Sequence, residues 1–306
     1  MIRETRDEDA PGAVDLLNEV YPSWPHTEAS WLHRRASEPE RARRLSLVAV
    51  EDDRIVGIGG GRLNYEAERE GAARIGVSVR TESRGRGIGG RLYERSEVHV
   101  LAIGGRRLLT TTIDDEPSRR FAESRGYRHT LTERISGVDP REVDLSGLPA
   151  LEAEKGSEGF RLVPLTDVSA EDVYRIDIEA TRDIPQDEPF GDIPFAEWEQ
   201  TYWRHPSMNF EASRAVVCEA EVVAFAMIGT DLDRGKAMNE MTGTLREFRG
   251  RRLARLAKLG TIAWAVEHGI TQILTGNDET NAPMLAINEG LGYRPIDAEL
   301  SWVKEL

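Results

Sequence analysis

Cysteine is nearly absent from this 306-residue chain: Cys218 is the only one, so neither an internal disulfide nor a cysteine cluster for zinc can form. It sits within the apolar run AVVCEAEVVAFAMI and reads as a strand residue rather than a nucleophile. There is no run of eighteen apolar residues, and the charged opening MIRETRDEDA has no signal or transit character. A cytoplasmic protein without a membrane span is expected. Positive charge is in deficit too: a net charge of −14 argues against nucleic acid and anionic membrane as partners and suits a cationic small molecule better. The histidines do not stand with carboxylates at metal-ligand spacing, so no metal is expected, and no Ser/His/Asp order suggests hydrolysis.

What the chain does contain is a repeat. RGRGIG at Arg84–Gly89 and RGRRLA at Arg249–Ala254 lie 165 positions apart, and Gly126-Tyr127 and Gly292-Tyr293 lie 166 apart. A hairpin signal precedes each loop, SLVAVEDDRIVGIG (46–59) and AVVCEAEVVAFAMIG (215–229), each with two β-branched runs around a short acidic turn. Each half reads as strand, helix pair, hairpin, strand, Gly/Arg loop, long helix, strand, short helix, strand. In the first half, Pro11 opens a helix to about Asn18, and Thr27 caps a second one ending near Arg44. Strand 73–79, helix 88–103, strand 107–113 and a short helix from Pro117 to Gly126 follow. The second half repeats these at 235–244, 251–269, 271–276 and 282–290. The stretch 137–159 is rich in Gly, Pro and charge, so the expected domains are 1–138 and 159–306, joined by a linker at 139–158.

A strand that runs into a glycine-rich loop and then a helix gathers backbone N–H groups at the positive end of a helix dipole, which suits a pyrophosphate. Glycine permits close backbone approach, and arginine adds charge-assisted bonds. The order Arg-x-x-Gly-x-Gly, deep in the domain and behind a hairpin, fits neither the dinucleotide fingerprint nor the lysine-ended P-loop.

VRTESRGRGIGGRL (79–92) with FAESRGY (121–127) resembles motifs A and B of the GNAT superfamily of N-acetyltransferases. TLREFRGRRLARLAK (244–258) with NDETNAPMLAINEGLGYRP (277–295) resembles the C-terminal half of tandem GNAT proteins such as the mycothiol synthase type, whose C-terminal half is the active one. The resemblance implies an α+β class, with a mixed α/β sheet in two tandem acyl-CoA N-acyltransferase folds. The fourth and fifth strands of each would splay apart to admit pantetheine. Acetyl-CoA would be the donor. Its contacts would come from Val77, Val79, Arg84, Gly85, Arg86, Gly87, Ile88 and Gly89 in the first half. In the second they would come from Thr242, Thr244, Arg249, Gly250, Arg251, Arg252, Leu253, Ala254 and Asn281. The second loop departs from the pattern, since Arg252 and Ala254 replace the glycines that the first keeps at Gly87 and Gly89. Arg252 can still offer its N–H if its φ is helical. The position that often carries an acid-catalyst tyrosine holds Ala122 in one half and Asn288 in the other.

Acylating an amine calls for a neutral nitrogen and therefore for a base. Glu240 in KAMNEMTGT is the leading candidate: it lies on the strand before the loop, where burial would raise its pKa, and strand alternation groups it with Thr242 and Thr244. ARIGVSV in the first half has no acid. The acceptor wall in this family is usually built by the first two helices. Here the stretch 180–210 combines Asp183, Asp187, Glu188 and Asp192 with Phe190, Phe195, Trp198, Tyr202 and Trp203, which suits a cationic amine; its counterpart at 21–35 is more basic. The expected protein is an N-acetyltransferase for a small primary amine, as a monomer or homodimer, with chemistry in the second half. The alternative is a non-catalytic acyl-CoA-binding regulator.

Overall fold

The structure, a computed structural model, describes residues 1–23 and 26–306; Trp24 and Pro25, within the 21–35 stretch, lie outside the described residues. In chain order the elements are β1 (Ile2–Glu4), α1 (Ala10–Val20), α2 (Glu28–Ser37), β2 (Leu45–Glu51), β3 (Arg54–Leu63), β4 (Ala72–Val79), α3 (Ile88–Ala102), β5 (Arg107–Ile113), α4 (Glu116–Glu123) and β6 (Arg128–Val138). There follow α5 (Leu148–Ser157), β7 (Phe160–Pro164), α6 (Ala170–Thr181), α7 (Phe195–Trp198), β8 (Arg214–Cys218), β9 (Glu221–Asp231), β10 (Lys236–Thr244), α8 (Leu253–Glu267), β11 (Gln272–Asp278), α9 (Ala282–Gly290) and β12 (Arg294–Glu305). Among the described residues no helix is long and apolar enough to cross a membrane.

Local chemistry fixes most of these boundaries. Thr27 caps α2, its hydroxyl accepting from the Ser30 amide. That helix stops at Ser37, short of the expected Arg44, because Pro39 pushes Glu38 out of the helical region to ψ 130°. The β2–β3 turn places Asp52 and Asp53 at φ 47° and 59°, the left-handed pair that a two-residue hairpin needs.

The chain forms two compact units that are not sequential halves. Unit 1 comprises Met1–Glu133, Gln186–Asp192 and Ala298–Leu306, and unit 2 comprises Arg134–Pro185 and Ile193–Asp297. In unit 1 the strand order is β1-β2-β3-β4-β5-β12, with β12 antiparallel to β5. Its core includes Ile75, Tyr93, Leu108, Tyr127 and Trp302. In unit 2 the order is β6-β11-β10-β9-β8-β7, and β9 is buried at every residue from Val222 to Gly229, so it reads as a continuous apolar run. The end strand of each unit thus comes from the other half of the sequence, β12 from Ala298 on and β6 from Arg134 on.

The segment 139–158, expected as a linker, contains α5, which packs against β7 and α8 and buries Leu151 and Lys155. Gly147 and Pro149 open that helix, Gly156 lies within it, and Pro140 opens a 3-10 turn, so none of them marks a flexible tether.

Candidate active site

In each unit the central parallel pair of strands holds together for three residues and then parts. β4 pairs with β5 from Ala72↔Arg107 to Arg74↔Leu109, and β10 with β11 from Lys236↔Gln272 to Met238↔Leu274. Beyond those points β4 runs on to Val79 and β10 to Thr244 with no strand on that edge among the described residues, so backbone groups of the expected contact residues, Val77 and Val79, Thr242 and Thr244, lie along it, the Val79 and Thr244 carbonyls being taken by loop arginines.

The loop that follows is the same object twice. Arg84 and Arg249 have φ −66° with ψ 162° and 161°; Gly85 and Gly250 have φ 75° and 76°. Gly87 at φ 77° caps α3, and Arg252 at φ 65° caps α8. Arg252 is therefore not helical, as its expected role required, but holds the left-handed conformation of the glycine it replaces, at a backbone cost of roughly 1–2 kcal/mol. The strict geometry of the loop explains this, since only that turn aims the first amides of the helix, which lack intrahelical partners, at one point. Ile88 and Leu253 begin the two helices and are buried. Gly89 has no room to spare: a Cβ there would lie 3.3 Å from the Phe121 ring, whereas its counterpart Ala254 is accommodated.

The loop arginines are already engaged. Arg84 Nε donates to the Val79 carbonyl (3.2 Å) and Nη1 pairs with Asp115 (2.8 Å); Arg249 Nε donates to the Thr244 carbonyl (3.1 Å) and Nη1 pairs with Asp183 (2.7 Å). They clamp the loop to the strand end. Arg86 pairs with Glu51, Arg252 pairs with Glu154, and Arg251 lies over the Phe160 and Phe248 rings. Such exposed pairs are weak enough to exchange for a phosphate. Burial pushes the Asp115 carboxyl up, but bonds from Ser118 and Arg84 outweigh it and hold it below the usual range. Arg246 and Arg249 do the same to Asp183, so that acid belongs to the loop rather than to an acceptor wall. Asn281 caps α9 with its Oδ1, as Asp115 caps α4.

The units differ at the strand before the loop. The β3–β4 ladder is regular from Gly57↔Val79 to Leu63↔Ala73, but β10 carries a bulge between Asn239 and Met241, at Glu240. The repeat arithmetic says the same: from Val79 to Thr244 is 165 positions, but from Ala72 to Lys236, the paired starts of the two strands, only 164. Glu240 is an inserted residue with no counterpart in β4. The bulge overturns the expected alternation of Glu240 with Thr242 and Thr244. A Cβ on Gly243 would point at Phe225, Ile176 and Ala180, toward α6; a Cβ on Gly229, on the Phe225 face of β9, would meet Glu240 Oε1 at 3.0 Å and Ser207 Oγ at 3.1 Å. The Glu240 carboxyl thus lies on the α6 face, over a glycine whose missing side chain makes room for it. It is exposed, so the desolvation expected of it is not met there.

Buried polar atoms with no hydrogen-bond partner among the described residues gather in unit 2: Asn239 Oδ1 and Thr244 Oγ1 on β10, Asp278 Oδ2 at the end of β11, and Asn288 Oδ1 on α9. At the matching positions of unit 1, Val79, Ile113 and Ala122 stand for the last three. Asn288 is buried and donates through Nδ2 to Asn277 (2.6 Å); Asn239 donates to Thr242 (3.0 Å). Among the described residues no group of three or more His, Cys, Asp or Glu is placed to hold a metal ion.

The expected acceptor wall is divided. Gln186–Asp192 belongs to unit 1, where buried Glu188 pairs with Arg107, Phe190 bridges Ala67, and Asp187 accepts from Thr130. The aromatics of unit 2 do cluster: Tyr174 lies 5.4 Å from Phe195 and 5.4 Å from Trp198, Trp198 lies 5.9 Å from Trp203, and Trp203 stacks on Phe210 at 4.4 Å. The carboxylate among them is one that sequence reasoning passed over, Asp177 on α6. Its Oδ2 accepts from the Trp198 indole (2.6 Å), and burial pushes its pKa up to about 6, only partly offset by that bond. The signal that could have found it is an acid among the apolar positions of an amphipathic helix.

Two sets of strands, each with a central parallel pair that parts in front of a glycine/arginine loop at a helix start, make a tandem GNAT fold. Residues 11–127 match the model of the acetyltransferase (GNAT) family, and over its whole length the chain has the fold of tandem GNAT proteins. Among solved structures, a tandem GNAT protein from the clavulanic acid biosynthesis pathway aligns over 100% of this chain and 98% of its own with TM-score 0.74 and 21% identity. A GCN5-related N-acetyltransferase from Sphaerobacter thermophilus aligns over 100% and 95% (TM-score 0.69, 15% identity). Saccharomyces cerevisiae N-myristoyltransferase with bound myristoyl-CoA aligns over 100% and 78% (0.61, 12%). At these identities the likeness is one of fold. No curated protein sequence matches the chain.

Proposed function

We propose that the protein transfers an acetyl group from acetyl-CoA to a small primary amine, that the transfer takes place in unit 2, and that unit 1 binds acyl-CoA without chemistry. The observation that carries the assignment is the bulge at Glu240, which brings a carboxylate onto the α6 face of the parted strand β10; in the same unit the side-chain oxygens of Asn239, Thr244 and Asn288 have no hydrogen-bond partner among the described residues. Unit 1 keeps the loop glycines but has no acid in its parted strand and apolar residues where unit 2 has orphaned polar atoms.

The donor, when bound, supplies an acyl group activated as a thioester. Its pyrophosphate fits the amides that begin α8, and the polar atoms of β10 and α9 fit its pantetheine amides. Glu240 takes a proton from the ammonium so that the nitrogen lone pair can form the C–N bond; the C–S bond then breaks, its pair leaves on sulfur, and the second nitrogen proton passes to solvent. Asn288, standing where many relatives have an acid-catalyst tyrosine, is not acidic. The sulfur therefore leaves as thiolate.

Two measurements test this reading. Calorimetric titration with acetyl-CoA is expected to count two sites per chain; Gly250→Glu, at φ 76° in the second loop, removes one of them together with all transfer. Gly87→Glu removes the other and leaves transfer in place, because Arg252 shows that this backbone tolerates a side chain. Loss of transfer in Gly87→Glu alone would move the chemistry to unit 1. Gly229→Ala puts a methyl 3.0 Å from Glu240 Oε1 and should lower kcat about tenfold with a stability change under about 1 kcal/mol, read by kinetics and melting.

A further inference from the structure

We propose that Asp177 and the aromatic side chains around it form a subsite for a second, non-reacting ammonium of the acceptor, so that the acceptor class is an aliphatic diamine rather than a monoamine. This rests on the reading of unit 2 as the transferring unit.

The position follows from the helix. Arg175 donates to Glu221 (2.7 Å) and to the Val222 carbonyl (3.3 Å), which lays that flank of α6 over β9. Ile176 and Ala180 lie over Gly243 of β10. Asp177 is roughly 200° round the helix from Arg175, so its flank turns away from β9 toward the edge of β10 that no strand covers. The Glu240 carboxyl lies on this same face of the sheet.

The chemistry follows from what Asp177 has and lacks. A buried indole N–H needs one acceptor, which a backbone carbonyl or an amide would supply. A carboxylate brings a charge and a second oxygen, and Asp177 Oδ1 is buried with no partner among the described residues. An unpaired buried charge is costly, and a cation that donates a hydrogen bond removes that cost. Tyr174 and Phe195, each only half-buried, cluster with Trp198, the indole that Asp177 holds, and aromatic rings are the other half of an ammonium site. The division between the carboxylates is physical: Glu240, in contact with solvent, can pass on a proton, whereas Asp177, with Oδ1 buried and Oδ2 held by the Trp198 indole, serves to hold a charge. The protein's negative charge draws in a dication more strongly than a monocation.

The test uses 1,4-diaminobutane and butylamine as probes, titrated into the wild type and Asp177→Asn and followed by calorimetry and tryptophan fluorescence. Asparagine keeps an acceptor for the Trp198 N–H, and equal or higher melting temperature is expected, whereas a purely structural carboxylate would give a drop. The wild type should bind the diamine at least tenfold more tightly than the monoamine and also acetylate it with a KM lower by a similar factor. In Asp177→Asn both preferences should vanish. Equal binding of the two amines by the wild type, or a preference that survives in the variant, overturns the subsite. Binding does not require turnover, so a diamine preference without acetylation would sink the proposed reaction and leave the subsite standing.

Discussion

Replacing Lys258 with methionine is expected to raise the unfolding free energy of the chain by about 2–4 kcal/mol at pH 7, the largest stability change anticipated for a single substitution in this protein. Lys258 lies on α8, is 1% exposed, and has no hydrogen-bond partner for Nζ among the described residues; Nζ lies over the ring of Tyr293, 5.2 Å from its centroid. Burial alone pushes its pKa down to about 7 from an ordinary 10.5. Between those values the unfolded chain carries a proton that the folded one lacks. Stability therefore rises with pH across the window, by up to roughly 1.4 kcal/mol per unit, and the destabilisation is complete once the pH falls below 7. Methionine has similar length and no charge to desolvate. Urea unfolding at pH 7 and pH 9.5 should show a large gain for the variant at the lower pH and a small one at the higher. A loss at pH 7 would mean that the ammonium has a partner in solution. The residue 165 positions earlier is Tyr93, whose hydroxyl donates to Glu97, but the equivalent of Glu97 is Ile262, so tyrosine would be a poorer replacement than methionine.

The contrast between Tyr93 and Lys258 shows how far the sequence could be read. Loops, hairpins and helix ends repeat because glycine at positive φ, capping side chains and β-branched runs act within a few residues of themselves, and these were legible. The resemblance to the GNAT superfamily led to the parting strands. What escaped were effects of one residue or of long range. A one-residue insertion at Glu240 hides in a repeat of 164 or 165 positions, yet it turns the side chain to the other face of the sheet and reverses which neighbours it has. β6 and β12 carry the patterns of ordinary last strands, and nothing local says that each completes the sheet of the other copy. Asp183, Asp187 and Glu188 look like a free acidic wall until Arg246, Arg249, Thr130 and Arg107 are brought to them from 57 or more residues away. Asp177 drew no notice because a lone acid in an amphipathic helix ordinarily faces water.

Replacing Glu240 with glutamine should lower kcat for acetyl transfer about 10²–10³-fold at pH 7, with little change in the acceptor KM. The glutamine keeps the size of the side chain, its place over Gly229 and its ability to accept a hydrogen bond; only the capacity to take a proton goes. The effect should depend on pH in a stated direction. An alkylammonium of pKa near 10 is neutral in roughly one molecule in a thousand at pH 7, and that fraction grows about tenfold per pH unit, so solvent progressively supplies what the carboxylate did. The ratio of wild-type to variant kcat should accordingly shrink by a factor of about ten or more between pH 7 and pH 9.5. A ratio that stays constant would show that Glu240 orients the acceptor without taking its proton. A variant as active as the wild type at pH 7 would remove the carboxylate from the reaction. The rate that survives in the variant measures what the rest of the cleft does, which is to hold amine and thioester together; for well-oriented pairs that term alone is worth several kcal/mol. It should fall to the solution rate when Gly250→Glu is added, because a donor that is not held by the loop cannot be presented to the acceptor at all.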